Sequence, residues 1–529
     1  MGTTVNIVNP VLPGFHPDPS ILRAGDDYYL ATSTFEWYPG VRLHHSRDLV
    51  HWRPIGGALD SLRLLDMTGD PDSGGIWAPC LSYADGLFHL VYTDVKSYSG
   101  FWDTPNFLVT APSIEGPWSD PVPLHAQGFD PSLFHDTGEG GDGRSWLLSN
   151  RTDWRPGNPW ANGIIAQEYD RAGRRLVGEP VTIYTGTPAG MTEGPHVYRR
   201  DGWYYLVTAE GGTEWFHQAT VARSRDLLGP YETDPGSPLI TSVHRPDLAL
   251  QKAGHGSLVD TPAGEWFFAH LTGRPLSPRG RCVLGRETAI QRVTWTEAGW
   301  PRIDGGVPHD EVPAPRLPAH PWPDEPETDD FAALGLGVHW ATLRRPAARD
   351  WVSTEARPGH LRIHGGRSAG ALMGESLVAR RVQHARATFE ATVEFRPGHF
   401  QHMAGITAYY NSRNWYFLRV GFDERLGAVV DVLSSDRGRL RLHGPAVPVA
   451  GAVRLRLDLD GGALRASCGE TEWGPFDASI LSDEYVREFD GDLARAWGFT
   501  GAFFGLWVQD MTGGGLPADF SAATYKPQP

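Results

Sequence analysis

A turn followed by a short aromatic strand recurs five times along the first half of the chain, and this period restricts the fold more than any other feature. The copies are Asp27-Tyr28-Tyr29-Leu30, Gly86-Leu87-Phe88-His89-Leu90, Arg144-Ser145-Trp146-Leu147-Leu148, Gly202-Trp203-Tyr204-Tyr205-Leu206 and Gly264-Glu265-Trp266-Phe267-Phe268. Aligned on Tyr28, Phe88, Trp146, Tyr204 and Trp266, they are spaced by 60, 58, 58 and 62 residues. Self-similarity on that scale marks a repeat architecture. Each unit has room for about four short strands, the content of one β-propeller blade, and blades pack radially round a central channel.

A second element precedes every copy: Asp18-Pro19-Ser20-Ile21-Leu22, Ala78-Pro79-Cys80-Leu81, Asp130-Pro131-Ser132-Leu133-Phe134, Glu193-Gly194-Pro195-His196-Val197 and His255-Gly256-Ser257-Leu258-Val259. If this element is the innermost strand of each blade, its first residue points at the channel mouth. Asp18, Trp77-Ala78, Asp130, Glu193 and His255 then meet in one small volume. Three carboxylates and a histidine are costly to gather, so a gathering of this kind is expected to serve a function. Pro17 and Pro19 fix their own φ and bias His16 and Asp18 toward extended geometry, so a stiff backbone is expected to carry Asp18. Pro-Asp-Pro is also ordinary turn chemistry, and its recurrence in the repeat is what sets it apart.

The texture changes after about residue 300. Seven prolines between Pro308 and Pro326 predict a stiff, extended connector over 308–328. Beyond it, Phe389, Ala391, Val393 and Phe395 alternate with Glu390, Thr392 and Glu394. Val453, Leu455, Leu457 and Leu459 alternate with Arg454, Arg456 and Asp458 up to a Gly461-Gly462 turn. A half-buried antiparallel sheet, as in a lectin-like β-sandwich, is the reading for 329–529. The expected fold is therefore all-β: a five-bladed β-propeller over 1–307, a linker, and a β-sandwich.

Composition narrows the partners. A net charge of −16 argues against a nucleic-acid or anionic-membrane partner, since no basic stripe offers contacts to phosphate. The 20 Trp, 17 Tyr and 22 Phe suit a neutral sugar, whose C–H faces pack on rings while its hydroxyls take hydrogen bonds. Three widely spaced cysteines, Cys80, Cys282 and Cys468, show no metal pattern and read as reduced and buried. Met1-Gly2-Thr3-Thr4-Val5-Asn6 lacks the features of a leader, and no long apolar span occurs, so a cytoplasmic location is expected. A homo-oligomer is the expected state.

Hydrolysis of a glycosidic bond needs an acid for the leaving oxygen and a base or nucleophile across the ring. Carboxyls roughly 6.5 to 9.5 Å apart admit a water and invert the anomeric centre, whereas roughly 5 Å implies retention. Facing residues of a propeller channel can span the larger gap, but geometry alone leaves the roles unassigned. His16-Pro17-Asp18-Pro19-Ser20, Gly74-Gly75-Ile76-Trp77-Ala78-Pro79, Gly128-Phe129-Asp130-Pro131-Ser132, Glu193-Gly194-Pro195-His196, Thr208-Ala209-Glu210-Gly211-Gly212-Thr213 and Leu284-Gly285-Arg286-Glu287-Thr288 resemble the motifs of glycoside hydrolase family 43. The closest resemblance is to its β-xylosidases with a C-terminal β-sandwich.

The resemblance implies a five-bladed propeller of inverting enzymes. Asp18 would be the general base, Glu193 the general acid, and Asp130 the residue that tunes and orients Glu193. Arg286 would reach the substrate and the acids; Phe35 and Trp77 would wall the sugar pocket, with Thr213 a further substrate-site candidate. His255 matches a channel histidine that in some relatives lies near a divalent ion, often calcium, so a Ca²⁺ or similar ion there is one reading and a satisfied hydrogen-bonding histidine the other. No cofactor is expected for the chemistry. Thr500-Gly501-Ala502-Phe503-Phe504-Gly505 resembles the loop by which the sandwich closes the site, with Phe503 as its aromatic; alone it reads as a core strand. Gly194 stands where many relatives have alanine, with no expected consequence. The implied activity is exo-acting release of xylose from xylo-oligosaccharides. α-L-Arabinofuranosidase activity is the alternative, and a non-catalytic carbohydrate-binding propeller is the rival of another class.

Overall fold

The computed structural model describes residues 5–138, 140–158, 160–491 and 493–528; Met1–Thr4, part of the segment read for a leader, lie outside them. Five antiparallel sheets follow one another along the chain, each built on four strands in chain order, the fourth carrying a short extra one. Their inner strands are β1 (Ser20–Ala24), β2 (Gly75–Ala84), β3 (Ser132–His135), β4 (Glu193–Arg200) and β5 (Gly256–Asp260). The repeated aromatics Tyr28, Phe88, Trp146, Tyr204 and Trp266 all fall on the second strand of a blade. The expectation of five blades holds. Each repeat buries its aromatic face against the next blade, as where Tyr29, Leu43, Leu81, Phe88 and Tyr92 share one core.

The ring is closed by its ends. Asn6–Val8 pairs antiparallel with Glu311–Pro313, and Ile7 and Val312 are buried with Ile21, Leu30, Phe267 and Ile290 between the first and last blades. This corrects the boundary read from sequence, since part of the proline-rich stretch is a propeller strand. The prolines are compatible with it because both members of a two-stranded sheet are edge strands and need few amide donors.

The second unit is a sandwich of two eight-stranded sheets. The predicted alternations are borne out: Arg386–Glu394 pairs with Ala452–Asp460, their apolar residues facing a core that includes Phe389, Leu455, Leu457, Leu418 and Phe520. The last strand of one sheet is Trp37–Tyr38, which belongs to the first blade and pairs with Ala341–Leu343. Propeller and sandwich therefore share a sheet. Among the described residues no helix is long and apolar enough to cross a membrane. Cys80 and Cys282 are buried and unpaired, and Cys468, expected buried, is only partly so.

Candidate active site

Asp18 lies two residues before β1, Asp130 two before β3, and His255 one before β5, while Glu193 opens β4 and Trp77 lies in β2. Equivalent positions of the repeat so deliver these side chains to one end of the channel. With Phe35, Thr213 and Arg286 they line a cavity of about 660 Å³. Asp18, Asp130 and Glu193 are all buried, 6, 7 and 4% exposed.

Asp18 is clamped from two sides. Arg286 Nη1 donates to Oδ1 at 3.0 Å and Ser33 Oγ to Oδ2 at 2.7 Å. Its backbone is not extended, as the neighbouring proline suggested, but left-handed, with φ +56°; Asp130 has φ +54°. Such a conformation costs on the order of 1–3 kcal/mol in a non-glycine residue, and aspartate tolerates it better than most because its short polar side chain can be bound locally. The fixity of Asp18 thus comes from its clamp as well as from the prolines.

Arg286 uses its remaining nitrogens on the sandwich: Nε and Nη2 donate to the Phe499 carbonyl at 3.3 and 3.0 Å. The preceding Gly285 has φ +76°, and a Cβ there would lie 2.0 Å from the Thr500 carbonyl oxygen. Only a residue without a side chain lets the two units approach so closely.

Asp130 accepts a hydrogen bond from the Gly194 amide, and His255 Nδ1 lies 3.8 Å from its Oδ2. The strand register shifts between Glu193 and His196, a local irregularity of the kind that re-aims a side chain. Gly194 has φ +57°, and a Cβ there would meet the His255 ring at 2.7 Å. Against expectation, glycine here has a structural reason. The His255 amide donates to His217 Nε2 at 3.2 Å, while His217 Nδ1 faces the Lys252 carbonyl at 3.0 Å, which places the His217 proton on Nδ1.

Burial, then the charge of Asp18, pushes the Glu193 carboxyl from 4.5 up to about 8, against the pull of Arg286. Asp130 is held well above the ordinary range by burial, then by Glu193 and Asp18. The charge that raises Glu193 is that of Asp18, while Glu193 and Asp18 both raise Asp130, so the three carboxyls crowd one another in one buried volume. Burial also lowers the His255 pKa, so its ring is neutral.

Among the described residues no group of three or more His, Cys, Asp or Glu side chains is placed to hold a metal ion. A hard divalent cation wants six or more oxygen ligands, which the surroundings of His255 do not supply from protein. Activity before and after exhaustive chelation, with calcium add-back on the same enzyme batch, tests the reading of an ion near His255: a loss restored by calcium supports it, and no change rejects it.

Phe503 requires correction. It starts the strand Phe503–Asp510, is fully buried, and stacks on Trp37 at 4.0 Å. It packs behind the site against Phe15. The sandwich aromatics that line the cavity are Phe489, Trp497 and Phe499; Trp497 and Phe499 stack on each other at 5.1 Å, with Phe499 against Phe35 and Trp77. Trp102, Phe129 and Trp160, which stack in turn, line it as well. Sequence reading missed these residues; the run Trp497-Gly498-Phe499 beside the flagged segment was the available signal.

Residues 7–301 match the family described as Glycosyl hydrolases family 43, and residues 328–526 match the Beta xylosidase C-terminal Concanavalin A-like domain. The chain is similar to the crystal structure of xylan beta-1,4-xylosidase from Bacillus Halodurans C-125, with TM-score 0.94, 51% identity, and 98% of this chain and 100% of that one covered. It is 44% identical to the beta-xylosidase of Bacillus subtilis (strain 168), over 99% of this chain and 100% of that protein. It is 45% identical to the xylosidase/arabinosidase 43B of Humicola insolens, over 98% and 97%.

Proposed function

The chain belongs to glycoside hydrolase family 43, and from that premise we propose that it removes xylose from the non-reducing end of short β-1,4-xylo-oligosaccharides with inversion. The observation that carries the proposal is the unequal state of two buried carboxyls in one cavity. Asp18 is bound by a guanidinium and a hydroxyl, while burial and the charge of Asp18 push the Glu193 carboxyl up to about 8. Paired carboxyls held apart in this way are an acid and a base.

Glu193 protonates the leaving oxygen, and Asp18 takes a proton from the water that attacks the opposite face of the ring. Asp130 positions Glu193 through the Gly194 amide. Phe35, Trp77 and Phe499 hold the sugar's apolar faces, with Thr213 and His255 at the cavity wall. Arg286 joins the base to the sandwich, so substrate meets a pocket walled by two units, which suits an exo mode. The first sugar formed from a β-linked substrate should be α-xylose by NMR; initial β-xylose would exclude the assignment.

The similarity to a xylosidase/arabinosidase favours a second reading, α-L-arabinofuranosidase activity. Comparing kcat/KM on the two aryl glycosides ranks them, and the xyloside should be faster. A cytoplasmic location and self-association complete the proposal. Three unpaired cysteines fit a reducing compartment. Exposed Leu440 and Leu442 on the edge strand Arg439–Pro448 offer a surface for a second copy.

Because Glu193 must carry its proton, kcat/KM should fall above an apparent pKa near 8, and the value belongs to the coupled trio rather than to one residue. A profile flat to pH 9.5 or above, an arbitrary bound of about 1.5 units past that midpoint, would contradict this.

A further inference from the structure

Behind the Phe15–Asp18 segment, four basic side chains are buried together at the boundary between propeller and sandwich. His16, His44, Arg42 and Arg381 are 4, 3, 4 and 5% exposed. Arg42 and His44 are two apart on the strand Gly40–Ser46 and therefore share a face. Arg381 ends the sandwich strand Ser376–Arg381. The His16 and His44 rings meet edge to face at 4.7 Å. Each of the four lies within electrostatic reach of the other three.

Their polar atoms are left over. His16 Nδ1, His44 Nδ1 and Arg42 Nε are buried without a hydrogen-bond partner, as is the hydroxyl of Thr32, which lies directly opposite Arg42 in the sheet. Arg381 donates Nε to the Phe15 carbonyl at 2.7 Å, and Arg42 Nη2 donates to the Val338 carbonyl. Glu325 is the carboxylate that acts on Arg42, and its own side chain is 39% exposed. No carboxylate acts on Arg381 among the described residues.

Every orphaned atom can be a donor, and two guanidiniums sit in mutual repulsion. Buried charge without a counter-charge costs several kcal/mol per ion, and a buried unsatisfied polar group calls for an unseen partner. Water could accept two of the hydrogen bonds but would leave the charge uncompensated. We propose that His16, His44, Arg42 and Arg381 together bind a small inorganic anion of halide size, chloride in ordinary media. Such an ion accepts from the imidazoles, the Arg42 Nε and the Thr32 hydroxyl, and offsets the guanidiniums. It also braces the segment carrying Asp18, because His16 is two residues away and Arg381 holds the Phe15 carbonyl. The inference is independent of the proposed reaction.

The test uses the full chain freed of halide and compares sodium chloride with sodium gluconate at equal ionic strength. An anion that binds only the folded state stabilises it by mass action. The melting temperature should therefore climb with the logarithm of chloride concentration and stay level in gluconate. In Arg381→Met the apparent chloride affinity should fall by at least about tenfold. Crystals grown in sodium bromide should show an anomalous peak between His16 Nδ1, His44 Nδ1 and Arg42 Nε, and this measurement decides the matter if the variant does not fold. Equal chloride responses in the two proteins, a response to sulfate or phosphate only, or a bromide crystal without the peak would overturn the proposal.

Discussion

Glu193→Gln and Asp18→Asn are each expected to lower kcat on a xylo-oligosaccharide by about 10³-fold or more, within the range typical of lost general acid–base catalysis, while both chains stay folded. The two losses should differ in kind. An aryl xyloside with a nitrophenolate leaving group needs little protonation, so the Glu193→Gln deficit should shrink on it. The Asp18→Asn deficit should not, because water must still be activated. Equal deficits on both substrates would reject the division of roles.

Stability gives an independent reading of Glu193. Its folded pKa, about 8, lies above the ordinary 4.5, so the folded state binds the proton more tightly than the unfolded one. The stability this group contributes is present at low pH and is lost as pH climbs from about 4.5 through about 8. Glutamine has no charge to bury. Glu193→Gln should therefore melt a few degrees above the parent at pH 9, a difference evaluated above that pKa, and should melt with it at pH 4. Higher stability of an inactive variant is the signature of a site strained for function.

The blades and the convergence of their first residues were legible because a propeller is built from one unit used five times, and five aromatic positions report it independently. The roles of Asp18, Asp130 and Glu193 came from resemblance, since like residue types at like positions of the repeat carry no label. What the sequence hid depends on contacts between units. The clamp on Asp18 comes from Arg286 and Ser33, which lie 268 and 15 residues away. Trp37–Tyr38 as a sandwich strand and Glu311–Pro313 as a propeller strand are pairings across hundreds of residues, and neither segment is long enough to show a period. Phe499 and Phe503 are four residues apart, two strand periods, so alternation puts both on one face; only the strand's start at Phe503 tells wall from core.

The junction that holds this wall makes the last prediction. Arg344 is fully buried and donates to Asp72 at 2.7 Å, to Glu375 at 3.4 Å and to the Asp70 carbonyl at 2.7 Å. Glu36, pushed up to about 8 mainly by burial, is drawn down by the same guanidinium. Ser73 then links this cluster to the cavity: its amide donates to Glu36, its hydroxyl to the Trp497 carbonyl, and its carbonyl accepts from the Trp77 indole. Arg344→Leu keeps the bulk but leaves the acids buried without their cation, at a cost of about 3–5 kcal/mol. The melting temperature should drop and KM should rise as Trp497 and Phe499 lose their anchor. Arg344→Lys should fall between, because one ammonium cannot fork to two acids. The orphaned acids of Arg344→Leu have raised folded pKa values, so their burial is tolerated at low pH and penalised as pH climbs. The gap to the parent should therefore narrow from pH 8 to pH 5, and a gap independent of pH would mean that Arg344 acts by packing alone.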